Sequence, residues 1–332
     1  MTVFDSGCII PLFSYKATRK KALRRIGLGL SVLMLVVLLR EIYLRVSETA
    51  GGWQALHLAN PGWLLASVGL LVIGLGVEAR KWKVLLAASG IPVTYREALS
   101  SVLSGIAVSV VTPNRIGDYP ARMLALKRKP VNSAVAAILG ALSQMTALLC
   151  WGVPAVFLSG TAGAVLPQPL SGIGALLGAL IGLSLYLGAR HWSELFLRIR
   201  LLRRLGRVVR VLQRVRRPVL IQALAWSLLR FALYTTQLWL MLHWLSVPVG
   251  LPDGWMRCAL FFWLLAIIPN FALAEIGIRG ALALYLFAPG NQHGAAVFTA
   301  TLSLWLLNLA LPAVVGAVRW IRWKQPSSFK SV

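Results

Sequence analysis

Two short stretches of an otherwise apolar chain put acids and arginines where they could grip an anion. The first, Pro113-Asn114-Arg115-Ile116-Gly117-Asp118-Tyr119-Pro120-Ala121-Arg122, holds one acid and two arginines; in the second, Pro269-Asn270 is followed by Glu275 and Arg279. In both, Pro-Asn interrupts an apolar run and an arginine stands four residues after an acid. That spacing puts acid and arginine on one helix face, so each pair can neutralise itself on insertion into a membrane. A charge at mid-bilayer costs about 2.5–3.5 kcal/mol on insertion scales, more than packing alone would warrant when apolar side chains serve as well. A bidentate guanidinium suits phosphate, and the N-termini of broken helices add N–H donors. The candidate substrate-binding residues are therefore Asn114, Arg115, Asp118, Arg122, Arg230, Asn270, Glu275 and Arg279, with hairpin breaks at Pro113, Gly117, Pro269 and Gly277. Each also has a plainer reading. The pairs would hold the hairpins against neighbouring helices, Asp118 would cap a helix ahead of Pro120, and the two asparagines would satisfy opened backbone.

These residues need elements to carry them into the bilayer. Of 332 residues, 58% are hydrophobic and 13% charged, and several apolar runs match a bilayer core in length. The expected fold is an all-α polytopic membrane protein, a single membrane domain over 1–332 with about six full spans and two re-entrant helical hairpins. The spans are expected at about 26–46, 62–79, 131–157, 170–189, 218–245 and 294–318. Between them, 98–111 and 255–268 are apolar stretches of 14 residues, which as helices reach only about 21 Å against a core of about 30 Å. Each stops at a Pro-Asn, and a second short helix follows. Broken backbone at membrane depth is tolerated where it is buried in protein or lines a cavity.

Charge orients the chain. Of 34 Lys and Arg, 27 fall in clusters at 16–25, 80–96, 127–129, 190–217 and 319–330. One topology puts all five on the cytoplasmic side, with both termini there and the cytoplasmic (inner) membrane as the location. Arg80-Lys81-Trp82-Lys83 then closes the second span on the inside. The segment 190–217, with ten arginines and apolar residues at three- and four-residue spacing, reads as an amphipathic connector on the inner leaflet. Attached between spans, it is read as a lipid-surface element and not as a nucleic-acid site. The hairpin 97–127 has basic clusters at both ends and enters from inside; the hairpin 255–288 enters from outside. The units 62–157 and 218–318 thus form an inverted repeat whose broken helices meet near the midplane, an architecture of secondary transporters.

At these residues the chain resembles a known family. Thr112-Pro-Asn-Arg-Ile-Gly-Asp-Tyr-Pro-Ala-Arg122 resembles the motif of the lysylphosphatidylglycerol synthase transmembrane region family, flippase-like membrane proteins whose pattern is usually Thr-Pro-Gly, then Gly-Glu, then Arg. Ala274-Glu-Ile-Gly-Ile-Arg-Gly280 resembles the second motif of that family. The resemblance implicates Pro113, Gly117, Asp118, Arg122, Glu275, Gly277 and Arg279. Asn114 stands where Gly is common and Asp118 where Glu is common, which shortens the acid by one methylene. Members that carry a cytosolic synthase domain transfer an aminoacyl group; a chain that ends at residue 332 is expected to lack that domain and that reaction.

The expected function is a flippase or transporter of an anionic lipid or lipid-linked substrate, its phosphate held between the hairpins. Arginines 115, 122, 230 and 279 against Asp118 and Glu275 leave two positive charges in excess, which favours a phosphate over a cation or a sugar alone. The partners are membrane lipids, with a second copy of the chain or a lipid-modifying enzyme as the expected protein partner. No catalytic residue, cofactor or metal is expected: three scattered cysteines and four histidines have no ligand spacing. The alternatives are an intramembrane lipid transferase with Asp118 or Glu275 as general base, and a non-transporting partner of a lipid-modifying enzyme.

Overall fold

The computed structural model describes residues 40, 60–109, 112, 117–126, 128–159, 170–198, 206–267, 274–288 and 293–322, without side chains at 194–198, 274–276, 310 and 317–322. All regular structure among the described residues is helical. The order is α1 (Pro61–Ala88), α2 (Tyr95–Ser109), α3 (Asp118–Leu126), α4 (Pro130–Leu158), α5 (Leu170–Leu187), α6 (Ala189–Arg198), α7 (Gly206–Arg214), α8 (Arg217–Trp244), α9 (Asp253–Ile267), α10 (Ala274–Phe287) and α11 (Gly294–Arg322). Five of these, α1, α4, α5, α8 and α11 up to Gly316, are long and apolar enough to cross a membrane. The chain is a polytopic all-α membrane protein. The span expected at 26–46 lies outside the described residues.

The main departure from expectation is α1. Asn60 caps its start by accepting from the Gly62 N–H at 2.9 Å, with Pro61 in the first turn. The helix passes through Arg80-Lys81-Trp82-Lys83, because long straight side chains favour helix and nothing there breaks it. It stops at Ser89-Gly90. The Ile91 N–H bonds to the Leu86 carbonyl at 2.9 Å and the Gly90 N–H to the Ala87 carbonyl at 3.0 Å, with Gly90 at φ +84°. That is a Schellman stop, and the left-handed φ is why glycine stands there. The helix therefore runs to residue 88, where the sequence suggested an end near 79.

Three of four helix lengths recur in order. α1 to α4 have 28, 15, 9 and 29 residues; α8 to α11 have 28, 15, 14 and 29. α1 and α8 pack antiparallel along their length. Gln237 donates to the Ser67 carbonyl near one end, and Lys81 donates to Ser227 further on, so numbers rise along one helix as they fall along the other. α2 rests on α11 and α9 on α4, and glycine makes both contacts close. A Cβ on Gly316 would overlap the Leu103 carbonyl, and one on Gly152 would overlap the Trp263 indole. In each four-helix unit, then, the second helix packs on the last helix of the other unit.

The described part of the basic connector is helical, in α6 and α7, and Val209 and Val211 on α7 are buried, at 5% and 7% exposure. Val211 belongs to the same apolar cluster as Leu139, Tyr186 and Leu220. The arginine-rich segment thus docks its apolar face on protein, at least over α7.

Two large apolar cores and a smaller one of Leu302, Trp305 and Leu309 fill the bundle. One large core gathers Trp82, Leu85, Val102, Leu139 and Leu224; the other gathers Phe231, Leu238, Phe261, Leu286 and Leu304. On α8 the changeover falls between Leu224 and Phe231. The polar site lies at that seam.

Candidate functional site: a buried charge cluster between the two cores

α2 and α3 form an antiparallel pair. The Ser101 hydroxyl donates to the Arg122 carbonyl at 2.9 Å, and Gly105 abuts Asp118 and the Arg122 stem so closely that a Cβ there would overlap both. Gly117 makes the turn into α3. Its N–H donates to Thr112 Oγ1 at 3.0 Å, and a Cβ would come within 2.7 Å of the Thr112 methyl. α3 begins at Asp118, an acid in its first turn. Both oxygens go to Arg122: Nε donates to Oδ1 and Nη2 to Oδ2, each at 2.7 Å. The i, i+4 spacing produces the bidentate pair that guanidinium and carboxylate geometry favours.

Arg122 is also held from a second side. Its Nη1 donates at 2.6 Å to Glu78 Oε1 on α1. Glu78 Oε2 takes Arg230 Nη1 at 2.9 Å, from α8, and Lys81 Nζ at 2.9 Å, one turn further along α1. Lys81 Nζ also donates to Gln144 Oε1 and Ser227 Oγ, both at 3.3 Å, so its three protons are used. Ser227 and Ser143 are 3.0 Å apart, oxygen to oxygen. Trp82 and Tyr119 face the Arg122 guanidinium at 5.8 and 5.1 Å, cation–π contacts that strengthen where water is excluded.

Four helices therefore converge: α1 supplies Glu78 and Lys81, α3 supplies Asp118 and Arg122, α4 supplies Gln144, and α8 supplies Arg230. Glu78, Lys81 and Arg122 are each 2% exposed. Three cations against two carboxylates leave one positive charge in excess. Arg230 lies about 20 Å from either end of α8 at 1.5 Å per residue, so the cluster sits at mid-helix depth. Such a cluster costs desolvation that only good geometry recovers, and here every member has an opposite charge within 2.9 Å.

Access is uneven. Of the five charged groups, Arg230 and Asp118 keep the most exposed side-chain surface, 21% each. The Arg230 guanidinium lies 5.4 Å over the Tyr234 ring. Tyr234 in turn borders a small cavity with Phe262, Arg279 and Asn308. Arg279 is buried on α10 with its guanidinium 5.8 Å over Phe261. Tyr234 thus touches both the Arg230 guanidinium and the cavity that Arg279 of α10 lines.

Of the residues singled out by sequence, Asp118, Arg122 and Arg230 come together, and Arg279 lies across Tyr234 from them. Pro113, Asn114, Arg115, Pro269 and Asn270 lie outside the described residues, as does the side chain of Glu275. Gly277 lies inside α10, where a Cβ would meet nothing, so the helix passes through it. Sequence reasoning missed Glu78 and Lys81, having taken Lys81 for a cytoplasmic anchor. A signal was present: the first breaker after Glu78 is Gly90, so a continuous helix places Glu78 about 15 Å inside its end.

Fold and site together define a class: a multi-pass α-helical membrane protein with a buried, net positive ionic cluster at mid-helix depth. Within that class, the chain belongs to the lysylphosphatidylglycerol synthase TM region family, whose model matches residues 25–316. No curated protein gives a significant match to the chain.

Proposed function

We propose that this protein moves an anionic lipid, or a lipid-linked substrate, across the cytoplasmic membrane by passing its phosphate along the face of the ionic cluster. The observation that carries this reading is the excess positive charge at mid-helix depth, with Arg230 as its partly exposed cation. A phosphate needs a charged partner at that depth, while its acyl tails can stay in lipid. Arg122 holds the cluster together, fixed between Glu78 and Asp118, and Arg230 is the residue with surface to offer a ligand. Membership of a family named for a lipid synthase membrane region supports a membrane-lipid role.

The matching helix lengths and the reciprocal packing of α2 on α11 and α9 on α4 support an inverted repeat. In this reading α2–α3 and α9–α10 are re-entrant hairpins entering from opposite faces. Helices of 15 residues reach about 22 Å, short of a core of about 30 Å. The pivot is the antiparallel α1–α8 pair, around which the two units rock in alternation. Basic clusters at 190–217 and 319–330 orient both termini to the cytoplasm.

The test is reconstitution of the full chain in liposomes with fluorescent phosphatidylglycerol, phosphatidic acid and phosphatidylcholine. Faster crossing of the anionic lipids than in protein-free vesicles, reduced at least tenfold by Arg230→Ala, is expected. Equal crossing with and without protein across the panel would sink the proposal.

A further inference from the structure

The cavity beside Tyr234 has a feature that a bare phosphate does not explain. Asn308 on α11 donates through Nδ2 to the Leu304 carbonyl, one turn back, at 3.2 Å. A carbonyl can only accept, so this bond fixes which way the amide lies. Asn308 Oδ1 is then buried with no donor among the described residues. A buried acceptor without a donor is costly, on the order of 1–3 kcal/mol, and in a lipid-facing bundle bulk water does not relieve it. The oxygen borders a cavity of about 40 Å³ shared with Tyr234 and Arg279. That is larger than the roughly 10–15 Å³ one water occupies, yet too small for a sugar ring.

Resting on the reading of Arg230 as a phosphate ligand, we infer that the Asn308 cavity receives a hydrogen-bond donor, a hydroxyl or hydroxymethyl, carried by the phosphate-bearing headgroup. The oxygen calls for a donor, the excess positive charge at Arg230 calls for an anion, and the cavity volume limits the donor to a small group. The tail has a place as well. On the neighbouring face of α11, Leu306, Leu307 and Leu311 join Leu64 and Met241 around an apolar cleft of about 380 Å³. A polyol phosphate on a lipid satisfies all three surroundings, whereas a free polyol phosphate leaves the cleft empty.

The experiment compares two lipids of equal charge. The purified full chain is equilibrated in phosphatidylcholine nanodiscs holding equal amounts of phosphatidylglycerol and phosphatidylmethanol, and retained lipid is measured by mass spectrometry. Phosphatidylglycerol is expected to be enriched about fivefold or more over phosphatidylmethanol, which lacks the hydroxyls. Asn308→Leu should bring that ratio to about one while total anionic lipid stays unchanged. A wild-type ratio near one overturns the inference whether or not the variant folds, and it is also the result if the cavity takes only water. Enrichment of neither anionic lipid over phosphatidylcholine sinks the phosphate reading along with it. Loss of the preference on adding glycerol 3-phosphate would overturn the assignment to a lipid in favour of the free phosphate.

Discussion

Replacing Glu78 by Gln probes the cluster where it is most connected. Glu78 binds Arg122, Arg230 and Lys81 within 2.9 Å at 2% exposure. Gln keeps the volume but removes the only carboxylate shared by all three cations, raising the excess from one positive charge to two. Its amide NH2 would also face a guanidinium or ammonium, donor against donor. Removing one partner of a buried ion pair costs about 3–5 kcal/mol, because the remaining charge stays buried and uncompensated. At roughly 2 °C per kcal/mol for a chain of this size, the expected fall in Tm is about 6–10 °C. The assay is thermal unfolding of detergent-solubilised protein followed by tryptophan fluorescence. A second variant, Glu78→Gln with Lys81→Met, restores the original charge excess and should recover at least half of the loss. A Tm within about 2 °C of wild type for the single variant, or a double variant less stable than the single, would refute the view that charge balance holds this site together.

Other consequences can be checked in the same preparation. Arg122→Lys keeps the charge but cannot bind Asp118 bidentately while reaching Glu78, so a loss of about 1–3 kcal/mol is expected in the same Tm assay. Gly105→Ala should destabilise by a similar amount, because its methyl would overlap Asp118 and Arg122; Gly69→Ala, with nothing within 4 Å, should be neutral or gain about 0.5–1 kcal/mol. At the start of α2, the Thr94 N–H and hydroxyl bond to the Glu97 carboxylate at 2.7 and 3.1 Å, and Arg128 pairs with it at 3.0 Å. Together, with the Thr94 backbone N–H contributing most, they hold the Glu97 carboxyl below its usual range. A depressed carboxylate stabilises above its unfolded pKa of about 4.3, and that contribution fades as pH falls through the folded value. The protection of amides in the first turn of α2, taken as the intrinsic exchange rate at each pH divided by the observed rate, should therefore fall below about pH 4 in wild type, and should be lower but flat with pH in Glu97→Gln.

Much of this protein is legible in its sequence, because a bilayer leaves few choices. Apolar runs of span length, positive clusters and the breaks before residues 117 and 274 lead directly to the helix order, and four of the five described spans begin and end close to where hydropathy places them. The i, i+4 spacing likewise makes the Asp118–Arg122 pair readable, since a helix brings those positions onto one face whatever surrounds them. The end of α1 was not readable by charge. Lys81 in a basic run looks like a cytoplasmic anchor, and only the capping motif at Ser89-Gly90 and the burial of Trp82 carry it inward. The partnership of Glu78 with Arg122 and Arg230, residues 44 and 152 positions away, depends on how α1, α3 and α8 pack. The docking of α7 on protein depends on packing too, because an amphipathic face needs apolar surroundings and lipid and protein supply them equally well. Sequence by itself determined which residues must be shielded from lipid. Tertiary structure decided which of them shield one another, because a buried charge is stabilised by whatever counter-charge the packing brings within hydrogen-bond reach.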